Sequence, residues 1–187
     1  MSPILESIGS VKGFGWGALT ESSAFESIAT LTAAGGETTL AFNSIPQTYK
    51  HLQIRGSIRQ STGTNGYGYI YIRLNSSGSQ ASQQIWYDAT ERGSGGLQVP
   101  ATAAGSNHTA NTFGSFVADF LYYSQANTFK ISSGYGGTPA TQSYSGLGIG
   151  SGLSADTSAL TSIDLYSPFS EPLVAGSTLA LYGIKAA

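Results

Sequence analysis

Cysteine is absent from all 187 residues, which excludes a disulfide staple, a thiolate nucleophile and any zinc site built on sulfur. Stability must then come from packing, and the absence suits folding in a reducing cytoplasm without excluding an extracellular working life. Charge is scarce too: Asp, Glu, Lys and Arg make up 10% of the chain with a balance of −2, against roughly 25% in ordinary soluble proteins. Such a surface is poor at keeping a free monomer dispersed. It also lacks the clustered Lys and Arg that neutralise phosphates, so no nucleic-acid partner is expected. No run approaches the ~18 apolar residues of a membrane helix. No basic segment precedes an apolar one at the start, where Gly9, Gly13, Gly15 and Gly17 interrupt the apolar residues, so neither membrane insertion nor a secretory signal is expected.

The residues of catalysis are equally thin. His51 opens a strand-like segment and His108 lies in a polar loop far along the chain, so no helical His pair exists and no metal site is expected. No G-x-S-x-G elbow accompanies the many serines, which argues against a hydrolase triad. Asp88 with Glu91, or Asp119 across a sheet, are the only carboxylates placed for glycoside cleavage, and Glu91 is better matched to Arg92 in a solvated turn. The glycines at 146, 148, 150 and 152 resemble a phosphate loop only superficially, because no Lys-Ser or Lys-Thr follows. At alternate strand positions they instead permit close approach of another backbone. The expectation is a protein with no catalytic residues and no cofactor.

What the sequence has in quantity is Gly (25) and Tyr (11) and a two-residue alternation. From His51 to Arg59, Leu52, Ile54, Gly56 and Ile58 share one face and Gln53, Arg55, Ser57 and Arg59 the other, the signature of a half-buried strand. Strands are predicted over 25–32, 38–42, 51–59, 68–74, 84–88, 113–121, 128–132, 144–149, 159–166 and 178–184, punctuated by Gly, Asn, Ser and Pro. No long helix appears. Residues 92–111, with Gly93, Gly95, Gly96 and Pro100, read as a long projecting loop. The fold class expected is all-β: an antiparallel β-sandwich, jelly-roll-like, over residues 21–187, preceded by a short N-terminal docking arm, residues 1–20.

In that arm Ser2-Pro3 could open a short helix carrying Ile4, Leu5 and Ile8, and Phe14 and Trp16 sit between glycines. Either the arm folds back on its own domain, or Ile4, Leu5, Ile8, Phe14 and Trp16 anchor it on a partner; the cost of exposing apolar arms favours the second. Tyr67, Tyr69, Tyr71 and Arg73 alternate with Ile70, Ile72 and Leu74 and form a tyrosine face suited to a protein interface or to sugar stacking. Trp86 and Tyr87 extend the stacking candidates. Arg55, Arg59 and Arg73 would share that face if the strands at 51–59 and 68–74 paired as a hairpin, an arrangement suited to an intersubunit contact.

Phe25-Glu26-Ser27-Ile28-Ala29-Thr30, the run Ser44-Ile45-Pro46-Gln47-Thr48-Tyr49-Lys50-His51-Leu52-Gln53-Ile54-Arg55-Gly56, Leu160-Thr161-Ser162-Ile163 and the closing Leu181-Tyr182-Gly183-Ile184-Lys185 together resemble a family of small virion structural proteins of tailed bacteriophages, common among phages of aquatic bacteria, cyanobacteria included. The likeness spans nearly all of 25–187. It implies a non-enzymatic virion component, made in the host cytoplasm, with no catalytic residues to carry over. The arm is similar to docking peptides of phage appendage and decoration proteins. The resulting expectation is a homotrimer bound through its arm to other virion proteins, as part of a tail fibre or baseplate, with host-surface contact through a glycan. The alternatives are a capsid decoration protein bridging capsomers and a carbohydrate-binding module; a capsular depolymerase ranks last.

Overall fold

A computed structural model describes residues 24–62, 67–76, 80–86, 91–94, 97–138 and 147–185, with backbone alone for 67, 69, 80–86, 91–94 and 97–102. The expected docking arm, with Ile4, Leu5, Ile8, Phe14 and Trp16, lies outside the described residues, as does Tyr87. The described residues contain twelve strands and no helix: β1 (Phe25–Thr32), β2 (Thr39–Phe42), β3 (His51–Ile58), β4 (Tyr67–Leu74), β5 (Gln80–Trp86), β6 (Glu91–Ser94), β7 (Leu97–Ala104), β8 (Gly114–Leu121), β9 (Lys130–Gly137), β10 (Leu147–Ser154), β11 (Ile163–Tyr166) and β12 (Thr178–Ile184).

Their pairing is nested. β1 pairs with β12, β2 with β11, β3 with β8 and β4 with β7, all antiparallel, as in one long hairpin folded over on itself. Rolling that hairpin brings β12 beside β3 and β11 beside β4, so one sheet runs β1-β12-β3-β8 and the other β2-β11-β4-β7. This is the jelly-roll form of the antiparallel sandwich. Two excursions, β5–β6 and β9–β10, then widen the first sheet past β8 to an eight-stranded order ending β8-β9-β10-β5-β6.

Alternation builds the core. Leu52, Ile54 and Ile58 of β3, Phe116, Ala118 and Phe120 of β8, and Leu179 and Leu181 of β12 point inward and meet Phe42, Ile70, Ile72, Leu74, Ile163 and Leu165 of the smaller sheet. Gly56 falls in the inward set because the Phe116 ring occupies its side-chain space: a Cβ there would lie 2.0 Å from Phe116 Cε1. Several segments differ from the sequence reading: β5 spans Gln80–Trp86 where 84–88 is predicted, β9 runs on to Gly137 past the predicted 128–132, β10 spans Leu147–Ser154 in place of 144–149, and β11 is confined to Ile163–Tyr166. The region 92–111 is not one projecting loop, since all of β7 and most of β6 lie within it, and Glu91 and Arg92 belong to β6 instead of a turn. Pro100 is tolerated because β7 is an edge strand of the smaller sheet, with a register irregularity opposite Ile70 and Ile72. Nor do β3 and β4 form a hairpin, because they belong to opposite sheets.

Loops are tied down by buried polar side chains. After strand β3 the alternation breaks, and Arg59 and Gln60 are both buried. Arg59 Nη1 donates to the carbonyls of Thr109 (2.7 Å) and Thr112 (2.9 Å), and Nη2 to that of His108 (3.0 Å). Lys130, 2% exposed, closes the β8–β9 turn by donating from Nζ to the Gln125 and Thr128 carbonyls; burial lowers its pKa, and Asp156 opposes that shift. Asn75 brackets the segment before β11, donating to Asp156 (3.0 Å) and the Ala159 carbonyl while accepting from the Thr161 amide (2.8 Å).

The Ser158 amide, then the Asn75 side-chain amide, hold the Asp156 carboxyl below its ordinary pKa. A depressed carboxylate stabilises the fold above its unfolded pKa and loses that contribution as pH falls through the folded value. Asp156→Asn is therefore expected to melt below the wild type at pH 6, with the gap narrowing below about pH 4. Thermal melts of both proteins across that range check it, and a gap independent of pH would contradict it.

Candidate functional site

Strands β9 and β10 reverse the usual arrangement of a sandwich. In β9, Lys130, Ser132, Gly134 and Gly136 are buried while Ile131 and Tyr135 are 50% and 58% exposed. In β10 the inward set is Gly148, Gly150, Gly152 and Ser154, and Leu147, Ile149 and Leu153 face out, Ile149 at 66% exposure. The cause lies across the sandwich. The edge strand β7 packs over β8, β9, β10 and β5, and small inward residues let its backbone approach where larger side chains would hold the sheets about 10 Å apart. The apolar residues of β9 and β10 are thereby left on the outer surface.

Register organises them into rows. Leu121, Ile131 and Leu153 stand side by side across β8, β9 and β10, as do Val117, Tyr135 and Ile149; between these two apolar rows runs a furrow of Asp119, Ser133 and Ser151. Single exposed apolar residues need no explanation, but a contiguous set marks a surface meant to be covered. At one end the surface deepens into an open cleft of about 390 Å³ whose walls include Phe113, Val117, Tyr135, Gly137 and Leu147.

Toward β3 the face ends in a polar chain. Gln53 donates to Asp119 Oδ1 (2.8 Å), Arg55 Nε donates to Gln53 Oε1 (2.7 Å), and the Arg55 guanidinium lies over the rings of Tyr182 (4.9 Å) and Phe25 (5.5 Å). Apolar rows with a hydrogen-bonded polar rim are the anatomy of a protein interface.

The arginines proposed to share one face are separated. Arg55 borders the apolar face of the larger sheet, Arg73 sits on the outer face of the smaller one, and Arg59 is buried against the 108–112 loop. Around Arg73 a second, smaller constellation forms. It pairs with Asp164 (3.0 Å) and stacks over Tyr166 (4.9 Å), whose ring meets Tyr71 edge-on with centroids 5.9 Å apart. Asp164 and Tyr166 were not among the sequence candidates, although their alternation with Ile163 and Leu165 was the available signal. For Tyr67, Tyr69 and Trp86 the backbone places the first two on β4 and the third at the end of β5.

Among the described residues no three His, Asp or Glu side chains gather as a metal site. His51 accepts the Tyr122 amide through Nδ1 (3.1 Å) and packs edge-on against its ring, while the His108 carbonyl serves Arg59. Compared with protein-family models, curated proteins and solved structures, the chain matches none of them.

Proposed function

We propose that this chain is a non-enzymatic structural protein of a tailed-bacteriophage virion, working by being packed among other subunits. The observation that carries the reading is the reversed polarity of β9 and β10, which commits Ile131, Tyr135, Leu147, Ile149 and Leu153 to the outside of a folded sandwich. Leaving that surface in water is costly, so the fold is complete only when something covers it. The sequence likeness described above supplies the setting, a tail fibre or baseplate appendage attached through residues 1–20, with the virion as the site of residence. A capsid decoration protein makes the same use of the surface at far higher copy number.

Deleting residues 2–19 is expected to leave the sandwich folded, with a melting temperature close to that of the full chain, and to abolish incorporation into particles. Immunogold labelling of intact phage and quantitative mass spectrometry of particles provide the readout. Hundreds of copies per particle favour decoration, and a few dozen or fewer favour an appendage. Antigen abundant in the lysate but absent from every particle overturns the proposal.

The cluster of Tyr71, Arg73, Asp164 and Tyr166 favours one other reading, a carbohydrate-binding module, since aromatic rings beside a fixed ion pair suit a sugar. A glycan array on the folded protein tests it, and a blank array counts against it.

A further inference from the structure

We infer that the apolar face of β8, β9 and β10 is covered by the same face of a second copy of this chain, related by a two-fold axis. The inference deepens the virion reading by naming the partner of its surface, and it rests on reading that face as an assembly surface.

The distribution of apolar area supports self-pairing. Ten large apolar side chains are exposed among the described residues. Leu121, Ile131, Tyr135, Leu147, Ile149 and Leu153 lie on this one face, Tyr122 and Phe129 lie in the turn joining β8 to β9, Phe25 lies at the β1 edge of the same sheet, and Phe169 lies elsewhere. A ring of three needs two different matching patches on each subunit, whereas a two-fold contact uses one patch twice. The described residues offer one such patch.

Charge and shape agree with that choice. On the outer positions of β3, β8, β9 and β10 the charged residues are Arg55 and Asp119, one of each sign, both joined through Gln53. A second copy therefore meets no net repulsion. The two apolar rows with a serine furrow between them provide ridges and a groove, so a rotated copy seats a ridge of one face in the groove of the other, as the inner faces of stacked sheets do.

The area suffices as well. Six neighbouring strands, β12-β3-β8-β9-β10-β5, at about 4.8 Å spacing and about 3.4 Å per residue make a face of roughly 29 by 25 Å, or about 700 Å². Standard stable interfaces bury about 600–1,000 Å² on each partner.

The test uses the full 187-residue chain. Sedimentation equilibrium is expected to give twice the chain mass of 19.3 kDa at micromolar concentration. Ile149→Arg is expected to weaken association about 100-fold or more, as buried central anchors do, with an unchanged melting profile for the monomer. Phe169→Arg, off the face, is expected to leave the dimer intact. Because the chain has no cysteine, Ser151→Cys introduces a single thiol, and a short bis-maleimide is expected to trap cross-linked pairs that are lost when Ile149→Arg is added.

A wild type that is monomeric at 100 μM, a trimer, or a dimer indifferent to Ile149→Arg each overturns the inference. If the wild type is monomeric while Ile149→Arg is lost from particles, the face meets a different virion protein: self-pairing fails and the virion reading stands. If the dimer forms as expected but no particle carries the antigen, the virion reading fails and self-pairing stands.

Discussion

Arg59→Met is expected to destabilise the protein by about 3 kcal/mol, lowering the melting temperature by roughly 6–12 °C for a chain of this size. The guanidinium donates to three backbone carbonyls, those of His108, Thr109 and Thr112, and no helix or sheet ladder includes any of the three residues. Methionine fills much of the same volume, so the loss reports the hydrogen bonds rather than a cavity. Arg59→Lys retains the charge but not the planar fork that reaches several acceptors at once, and is expected to recover less than half of the loss. The effect extends to the surface, because the loop held by Arg59 leads through Phe113, a wall of the apolar cleft, into β8. Hydrogen exchange should show faster opening at residues 105–113 in Arg59→Met, ahead of global unfolding. A variant within 0.5 kcal/mol of the wild type would remove Arg59 from this role.

The same residue marks where reading the sequence stops working. Alternation through β3 correctly separates Leu52, Ile54 and Ile58 from Gln53 and Arg55, because a half-buried strand imposes a period of two on polarity. Extended one residue further, it places Arg59 outward with Arg55, whereas the strand ends at Ile58 and Arg59 turns in to serve a loop some fifty residues away. Periodicity carries no information about a hydrogen-bond acceptor so distant in sequence. The same limit governs the sheet neighbours. Patterning shows that 51–58 and 67–74 are strands, but only the nested pairing of the whole chain puts them in opposite sheets.

The candidate surface was hidden for another reason. In β9 and β10 the alternation is clear, and it says that Ile149 and Gly150 face opposite ways without saying which way is in. The ordinary assumption, apolar inward, gives the wrong face here, since β7 lies close over Gly148, Gly150 and Gly152. A signal was present nonetheless. Glycine at every second position of a strand cannot fill the space between two sheets at normal spacing, so it must mark where another backbone comes near. The partner residues Leu147, Ile149 and Leu153 are then forced outward. Strand β7 is not legible in the sequence because Pro100 and the glycines before it carry loop chemistry, which an edge strand tolerates and a central one does not.

Phe120→Ala is expected to cost 3–5 kcal/mol, the range for deleting a buried aromatic ring when the surroundings relax only in part. Phe120 is fully buried, and its register neighbours are Leu52 in β3 and Ser132 in β9. That places it where the jelly-roll sheet passes into the excursion carrying the apolar face. On the β3 side the cavity opens into a packed core that collapses poorly around a void; on the β9 side the neighbours are Ser132 and glycines, with few side-chain atoms to move in. Both conditions push the cost toward the upper end of the range. The location also decides how the molecule unfolds. If β9 and β10 are integral to the sandwich, Phe120→Ala lowers a single cooperative transition, and tyrosine fluorescence and far-ultraviolet circular dichroism shift together by roughly 6–20 °C. If they form an appendage with its own stability, the two probes separate. The continuous hydrogen-bonded order from β8 through β9 and β10 to β5, together with β7 packed across all four, favours the single transition, because neither the strands nor the edge strand above them can leave without opening the other.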